Sequence, residues 1–326
     1  MARGNASQPE YTRPRQIVGA KWRSFRQKPP DDQHAALFRP TALDLVSADG
    51  RSIAPLLTLR ALRVQSAMGR GRSRPLIVEA EDGETYVAKL SHTDRTARRL
   101  TVEVIAGQIA KVLGLPQPAM ALLVIDPAID APDLTPEKRA ELDVARGPAF
   151  GSQMLPGAVS LRRKGDFVLD PRLAAEIVWF DSLVVNHDRK ERNPNILVSD
   201  QQAWMIDNDS AMALHHRWCE PSRQDAYAIC PDCGLMWWDP KDHVLLPLAG
   251  SVEEAGDQLA PRLSPELIET IAGQPPEPWI QAGFPPGGPI DARQMYVEFL
   301  VHRLSLRKDF ERHADHLRIH GVCAAR

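Results

Sequence analysis

Residues 186–209 read NHDRKERNPNILVSDQQAWMIDND. The first ten, Asn186 to Asn195, are too polar and too broken by Pro194 for a core element, so they form a loop. Two short apolar runs follow, Ile196 to Val198 and Ala203 to Ile206, with a turn at Ser199-Asp200, and they predict a hairpin. Immediately upstream, PRLAAEIVWFDSLVVN (171–186) predicts a long helix with Pro171 in its first turn. This order puts Asp188 and Asn193, five residues apart, on the loop and Asp207 at the end of the second strand. A loop Asp can orient a hydroxyl and take its proton. Asn193 and Asp207 offer the oxygen ligands that Mg²⁺ takes, water and phosphate supplying the rest. Taken singly, each of the three also suits an ordinary turn.

The segments upstream decide between these readings. Gly69-Arg-Gly71-Arg-Ser73-Arg-Pro75 is a glycine-containing turn. It is followed by a strand at Leu76 to Glu79, a hairpin turn at Asp82-Gly83 and a return strand at Thr85 to Leu90. Tyr86, Ala88 and Leu90 fall on one face of that strand and Val87 and Lys89 on the other. Leu100 to Leu113 has apolar residues at helical intervals (Val102, Ile105, Ile109, Val112), carries Glu103 and ends at Gly114, predicting an amphipathic helix. Leu56 to Val64 is open between helix and strand. Ala121 to Ile125 and Ala149 to Leu155 predict strands, and the polar, Pro-marked 126–146 between them predicts an insertion or surface helix. Glycine loop, strand Lys, helix Glu, hinge-like strand, long helix, Asp-x4-Asn and hairpin Asp is the part order of a kinase-type fold. Phosphoryl transfer needs chiefly positioning and charge neutralisation, and these are the groups that provide them.

Composition bounds the rest. Of the 326 residues, 43% are hydrophobic and 25% charged, which excludes collagen-like, coiled-coil and wholly disordered chains. The sequence has no 18-residue apolar run for a membrane helix and no apolar h-region at its start, and four Cys do not make a disulfide scaffold, so a cytoplasmic protein without membrane contact is expected. The net charge of -2 hides an asymmetry. Residues 1–74 hold 14 Lys and Arg against 5 Asp and Glu, leaving 26 against 37 in the remainder. The basic start lacks periodicity and is rich in Pro, so residues 1–55 are expected to be a flexible leader. Residues 56–155 would follow as a β-rich part and 156–326 as a mainly helical part, with helices over Leu245 to Leu259, Pro265 to Ala272 and Arg293 to His313 and a Pro-rich linker from Gln274 to Pro289.

The segments TYVAKL (85–90), TVEVIAGQIAKVLGLP (101–116), FGSQMLPGA (150–158), AAEIVWFDSLVVNHDRKERNPNIL (174–197) and WMIDNDSAMALHHRW (204–218) resemble the HipA-like kinase family, especially its short actinobacterial-type members. DHVLLPLA (242–249) and MYVEFLVHRL (295–304) are similar as well, so the resemblance spans about residues 56–310. It implies an α+β, two-lobed kinase-like fold with a small β-rich N-lobe and a larger helical C-lobe, related to protein and phosphoinositide kinases. It implies ATP and Mg²⁺ as cofactors and transfer of the γ-phosphate to a hydroxyl, with Ser or Thr of a protein as the acceptor. In this sequence Lys89 would contact the α- and β-phosphates with Glu103 as its helix partner, near Gly69 and Gly71. Asp188 would be the catalytic base and Asn193 and Asp207 the metal ligands. Residues 150–155, Met154 among them, would be the hinge that meets adenine. The family prototype carries a regulatory Ser in its phosphate loop, for which Ser66 and Ser73 are the nearby residues. It also has a longer N-terminal region than the 55 unlike residues here, which leaves an antitoxin-type partner open.

Other motifs keep competing readings open. Cys230-Pro-Asp-Cys233 has the spacing of two zinc thiolates, and Cys219 with His215 or His216 would complete a structural Zn²⁺ site. A thiol pair in a loop is the plainer reading. Arg189, Lys190 and Arg192 would bind phosphate, steer an acidic substrate or simply be solvated. His187 is expected to pack in its loop or bond the backbone, Trp237-Trp238 to be buried or to face a partner rather than stack on a ligand, and the basic residues from Arg303 to His320 to form a solvated face rather than a nucleic-acid surface. A catalytically silent nucleotide-binding regulator would keep Lys89 and Asp207 but has no need of Asp188. A kinase of a lipid or small-molecule hydroxyl would keep all three. A zinc-dependent nucleic-acid binder would use the Cys pair and the basic start.

Overall fold

The computed structural model of the chain describes residues 45–46, 52–53, 55–67, 75–126, 128–129, 131–163, 165, 167–212, 239–283 and 292–321. The chain divides into two compact units, Met1–Thr41 and Ala42–Arg326, and all described residues belong to the second. They mix strands and helices, as expected.

A short antiparallel ladder, β1 (Leu45–Val46) with β2 (Ser52–Ile53), comes first. The strands β3 (Leu57–Ala67), β4 (Leu76–Ala80), β5 (Thr85–Lys89), β6 (Met120–Val124) and β7 (Ala149–Gln153) then close a barrel in the order β3-β4-β5-β7-β6. The segment left open between helix and strand is β3. It pairs in parallel with β6 through Leu57–Arg60 and antiparallel with β4 from Ala61 onward, and a register shift between Ala61 and Arg63 lets one strand serve two partners. The alternation read in β5 holds, with Tyr86 and Ala88 buried and Val87 and Lys89 half-buried. Inward side chains such as Val64, Leu76, Val78, Tyr86 and Leu123 fill the barrel. Gly151 keeps it narrow, since a Cβ there would lie 2.8 Å from Leu123 and 3.2 Å from Tyr86.

Helix α1 (Asp94–Leu113) starts earlier than its apolar pattern suggests. Thr93 and Thr96 form a reciprocal capping box at its start, and Gly114 ends it at φ 76°. The amphipathic expectation fails over Leu100–Ala110, where every residue is buried, including Thr101, Glu103 and Gln108. The cause is that two cores share the helix. Ala97, Leu100 and Val104 pack with Phe150 of β7 and with Trp279, while Val102, Ile105 and Ile109 join a core of Ile177, Trp179 and Phe180.

That second core is helical. It centres on α3 (Pro171–Val184), whose Asp170 cap accepts from the Arg172 N–H and whose residues from Ile177 to Val184 are all buried. Each apolar side chain so buried contributes about 1.5–3 kcal/mol. Helix α2 (Pro136–Asp143) lies in the polar insertion, and β8 (Val159–Ser160), β9 (Ile196–Ser199) and β10 (Gln202–Met205) form a small sheet in the order β10-β9-β8. After residue 238 come α4 (Val252–Leu259), α5 (Pro265–Ala272), α6 (Glu277–Gly283), α7 (Ala292–Ser305) and α8 (Arg307–His320).

Four expectations for this part need correction. The helix expected from Leu245 begins at Val252, after Pro247 and Gly250, where the Ser251 hydroxyl caps the Glu254 N–H. The expected linker contains α6, because Trp279 buries its ring against α1 and donates Nε1–H to the Pro148 carbonyl at 3.0 Å. The single last helix is two, broken at Leu306. Not all of its cations are solvated. Arg303 is fully buried, donates to the Ser182 carbonyl at 2.5 Å and lies 4.8 Å over the Phe310 ring.

One contact in this core yields a test. Trp179 Nε1–H donates to the buried Glu311 carboxylate at 2.8 Å, which also accepts from Arg307 Nη1 at 2.8 Å. Gly256 of α4 faces both groups so closely that a Cβ would collide with the Glu311 carboxylate and the Trp179 indole nitrogen. Gly256→Ala is expected to destabilise the protein by about 1–3 kcal/mol despite its better helix propensity. A urea midpoint that rises instead would show that this interface yields.

Candidate active site

The residues singled out from the sequence meet in two hydrogen-bonded groups. The first surrounds Lys89, at the end of β5. Its Nζ donates to Asp207 Oδ1 at 2.6 Å, to Glu103 Oε2 at 3.0 Å and to Asp209 Oδ2 at 3.3 Å. Glu103 also accepts from the Asn208 N–H at 3.0 Å, so α1 grips both Lys89 and the turn after β10. Arg99, one helical turn before Glu103, binds Asp209 Oδ1 at 2.5 Å. Asp207 itself has φ 58°, a left-handed conformation that costs a non-glycine residue about 1–2 kcal/mol and is held here by these bonds.

Two cations therefore serve three carboxylates. Asp207 keeps its charge: burial works against ionisation, but the Lys89 charge and hydrogen bond outweigh it and hold its carboxyl low. The surplus negative charge falls on Glu103, the deeply buried member. Burial pushes it up to about 7 against the lowering effect of Lys89, and Asp207 and Asp209 add to the rise. Lys89 stays firmly protonated; burial alone would lower it, but the three carboxylates raise it well above the ordinary value.

The second group surrounds Asp188, in the loop after α3. Its Oδ2 accepts from Asn193 Nδ2 at 2.9 Å and from Asn195 Nδ2 at 3.5 Å, and its N–H is held by Asn186 Oδ1 at 3.1 Å. Its Oδ1 has no partner among the described residues. Asn193 turns its amide nitrogen to Asp188, which leaves its carbonyl oxygen for another ligand. The loop is tightened by paired backbone bonds between Lys190 and Asn193.

Arg189 joins the two groups. Its side chain is fully buried and binds Asp181 of α3 through Nε at 2.5 Å and Nη2 at 3.3 Å. It also donates to the Asn195 carbonyl at 2.6 Å and to Asn208 Oδ1 at 2.9 Å. Of the three roles open to Arg189 in the sequence, the structure supports none, because no solvent or substrate reaches it. Asp181 accepts further bonds from Asn186 Nδ2 at 3.0 Å and His243 Nε2 at 2.8 Å. His243 Nδ1 accepts the Leu245 N–H, so the ring proton sits on Nε2, facing Asp181. Burial would raise the Asp181 carboxyl, but the Arg189 charge and the bonds from His243 and Arg189 outweigh this and hold it below its ordinary value.

Met154 is partly exposed just after β7, the strand beside β5, and its N–H is donated to the Thr85 carbonyl, leaving its own carbonyl for a ligand. His187 is half-buried, and burial and then Lys190 lower its pKa, in keeping with a packing role. Gly69, Gly71, Ser73, His215, His216, Cys219, Cys230, Cys233, Trp237 and Trp238 lie outside the described residues, as does the Ser66 side chain.

Sequence reasoning missed Asp209, Arg99, Asp181 and His243. Three of these had a signal. Asp209 completes an Asp-x-Asp pair, Arg99 stands four residues before Glu103 on one helix face, and Asp181 interrupts the apolar run IVWFDSLVV. His243, 62 residues from Asp181 in the chain, had none.

A strand Lys paired with a helix Glu, with a loop Asp, its Asn and a second Asp, is the set of residue types that a kinase-type site uses. The model of the family described as HipA-like kinase matches residues 61–227, just over half of the chain, and the protein belongs to that family. It is thereby a phosphotransferase. No curated protein matches the chain. Among solved structures, that of the Helicobacter pylori proinflammatory kinase CtkA is similar with a TM-score of 0.46 and 14% identity, over 82% of this chain and 98% of that one.

Proposed function

We propose that the protein is an ATP- and Mg²⁺-dependent kinase that transfers the γ-phosphate to a Ser or Thr hydroxyl of another protein, in the cytoplasm. The reading includes a two-lobed arrangement divided near residue 155; the leader expected over residues 1–55 is shortened by the β1–β2 ladder at 45–53. The observation that carries it is the Lys89–Glu103–Asp207 cluster tied through Arg189 and Asn208 to a loop where Asp188 keeps one carboxylate oxygen free.

The donor set fits a hard divalent cation. Carboxylate oxygens of Glu103, Asp207 and Asp209 lie within 4.8 Å of one another, and Asn193, on the Asp188 loop, has a side-chain oxygen to offer as well. Asp207 and Asn193 would hold the ion, which when bound neutralises charge on the phosphates. Lys89 moves from Asp207 to the α- and β-phosphates while Glu103 retains it. Asp188 Oδ1 accepts the acceptor's hydroxyl proton as the hydroxyl oxygen bonds the γ-phosphorus. The bond from that phosphorus to the β-phosphate oxygen breaks and ADP leaves with the electron pair. Asn193 and Asn195 hold Asp188 Oδ2, so that Oδ1 faces the acceptor.

The test uses the purified full chain, γ-labelled ATP and Mg²⁺, with the chain itself and bystander proteins as acceptors. Label is expected on Ser or Thr, and Lys89→Met is expected to lower transfer by about 100-fold or more. Nucleotide binding with no transfer to any hydroxyl would favour the silent regulator instead.

A further inference from the structure

An open groove of about 490 Å³ adjoins the catalytic loop. One wall is Lys190, Glu191 and Arg192, three of the four residues between Asp188 and Asn193. The other is Lys241 and Asp242, with Val244 and Pro247 as an apolar stretch of the lining. The volume suits a short peptide segment rather than a solvated ion. Its position matters more: the nearer wall starts two residues after Asp188, so a chain that brings a hydroxyl to Asp188 Oδ1 passes within reach of these side chains.

The charges of the groove are unequal in availability. Lys190 pairs with Asp242 at 3.5 Å and Lys241 with Asp239 at 3.1 Å, and all four side chains are at least one-third exposed. Exposed pairs of this kind are weak and exchange partners readily. Arg192 has no ion-pair partner among the described residues. Neither does Arg162, whose Nη1 reaches the Arg192 carbonyl at 3.4 Å and so places a second guanidinium at the same rim. Guanidinium forks bind carboxylates in a bidentate manner that ammonium groups do not match. Arg189, of the same loop, is spent on Asp181, which makes Arg192 the loop arginine available to a ligand.

We infer that this groove receives an acidic segment of the acceptor protein next to the phosphorylated hydroxyl, with Arg192 as the main specificity-determining residue and Lys241 on the facing wall. This rests on the kinase reading above for the purpose of the groove but not for its binding chemistry. The two are therefore tested separately.

The experiment measures fluorescence anisotropy of two labelled peptides on the full chain, one with a central Ser flanked by Glu and one flanked by Lys, without nucleotide. The acidic peptide is expected to bind at least about tenfold tighter, with the advantage shrinking as salt rises. Arg192→Glu is expected to remove about tenfold of that affinity. Lys241→Glu, on a separate segment, is expected to lower it as well, which guards against a local folding defect in either variant. Equal affinity for the two peptides, or an unchanged preference in both charge-reversed variants, overturns the inference. Phosphate transfer measured on the same samples reports on the kinase reading alone: selective binding without transfer would remove that reading and leave the groove.

Discussion

Asp188→Asn is expected to lower phosphate transfer by about 10³-fold while the protein remains folded. The substitution keeps the size of the side chain and the oxygen that can accept from Asn193, so the loop retains its shape. It removes the carboxylate to which the kinase reading assigns the proton of the acceptor hydroxyl. Because Asp188 makes no hydrogen bond to Lys89, Glu103, Asp207 or Asp209, nucleotide affinity is expected to hold while turnover falls. Single-turnover transfer with γ-labelled ATP, alongside nucleotide titration, separates the two quantities. Transfer within a few-fold of the wild type would remove Asp188 as the base. A parallel loss of nucleotide binding would mean that the loop had moved.

The second large effect is on stability. Arg189→Ala is expected to cost about 3–5 kcal/mol, because it leaves the fully buried Asp181 with a charge facing an empty space. It also frees the Asn195 carbonyl and Asn208 side chain, which join the Asp188 loop to the Asp207 turn. Removing both charges with packing retained, as in Asp181→Asn with Arg189→Met, is expected to be less damaging than Arg189→Ala alone, since no uncompensated ion remains. The pH dependence follows from the sign of the Asp181 shift. Its folded-state pKa lies below its unfolded one, so its contribution is complete above the unfolded value. It is lost as the pH falls through the folded value, in a window below about 4. Urea midpoints measured down that range should fall more steeply for the wild type than for the double variant. Parallel curves would show that Asp181 is not a source of acid sensitivity.

Much of this was readable in the chain. The hairpin of β4 and β5 was visible because Asp82-Gly83 sits between alternating runs, and α3 because Pro171 opens a long apolar segment. Lys89, Glu103 and Asp207 could be named from the order of the elements that carry them and from the family resemblance, since each taken singly also suits an ordinary surface or turn position. What failed had a common cause: the burial of a polar group by distant partners. Leu100–Ala110 looked amphipathic because Glu103 and Gln108 are polar, yet they lie inside. Arg189 had the same three readings as Lys190 and Arg192, and its burial is what sets it apart from them. The expected linker around Glu277 became a helix because Trp279 found a place beside α1.

The sequence by itself determined the order of the parts, the residue types at the site and the class of chemistry they suit, since these depend on local periodicity and on side chains that are reactive wherever they lie. The tertiary structure alone decided the closed barrel, the sharing of α1 between two cores, and which of three neighbouring cations is buried and which are exposed. The physical reason is that the cost of burying a charge is set by the partners that meet it. For Arg189 these include Asn195 and Asn208, and for Asp181 they include His243, which the chain holds apart and folding brings within 3 Å.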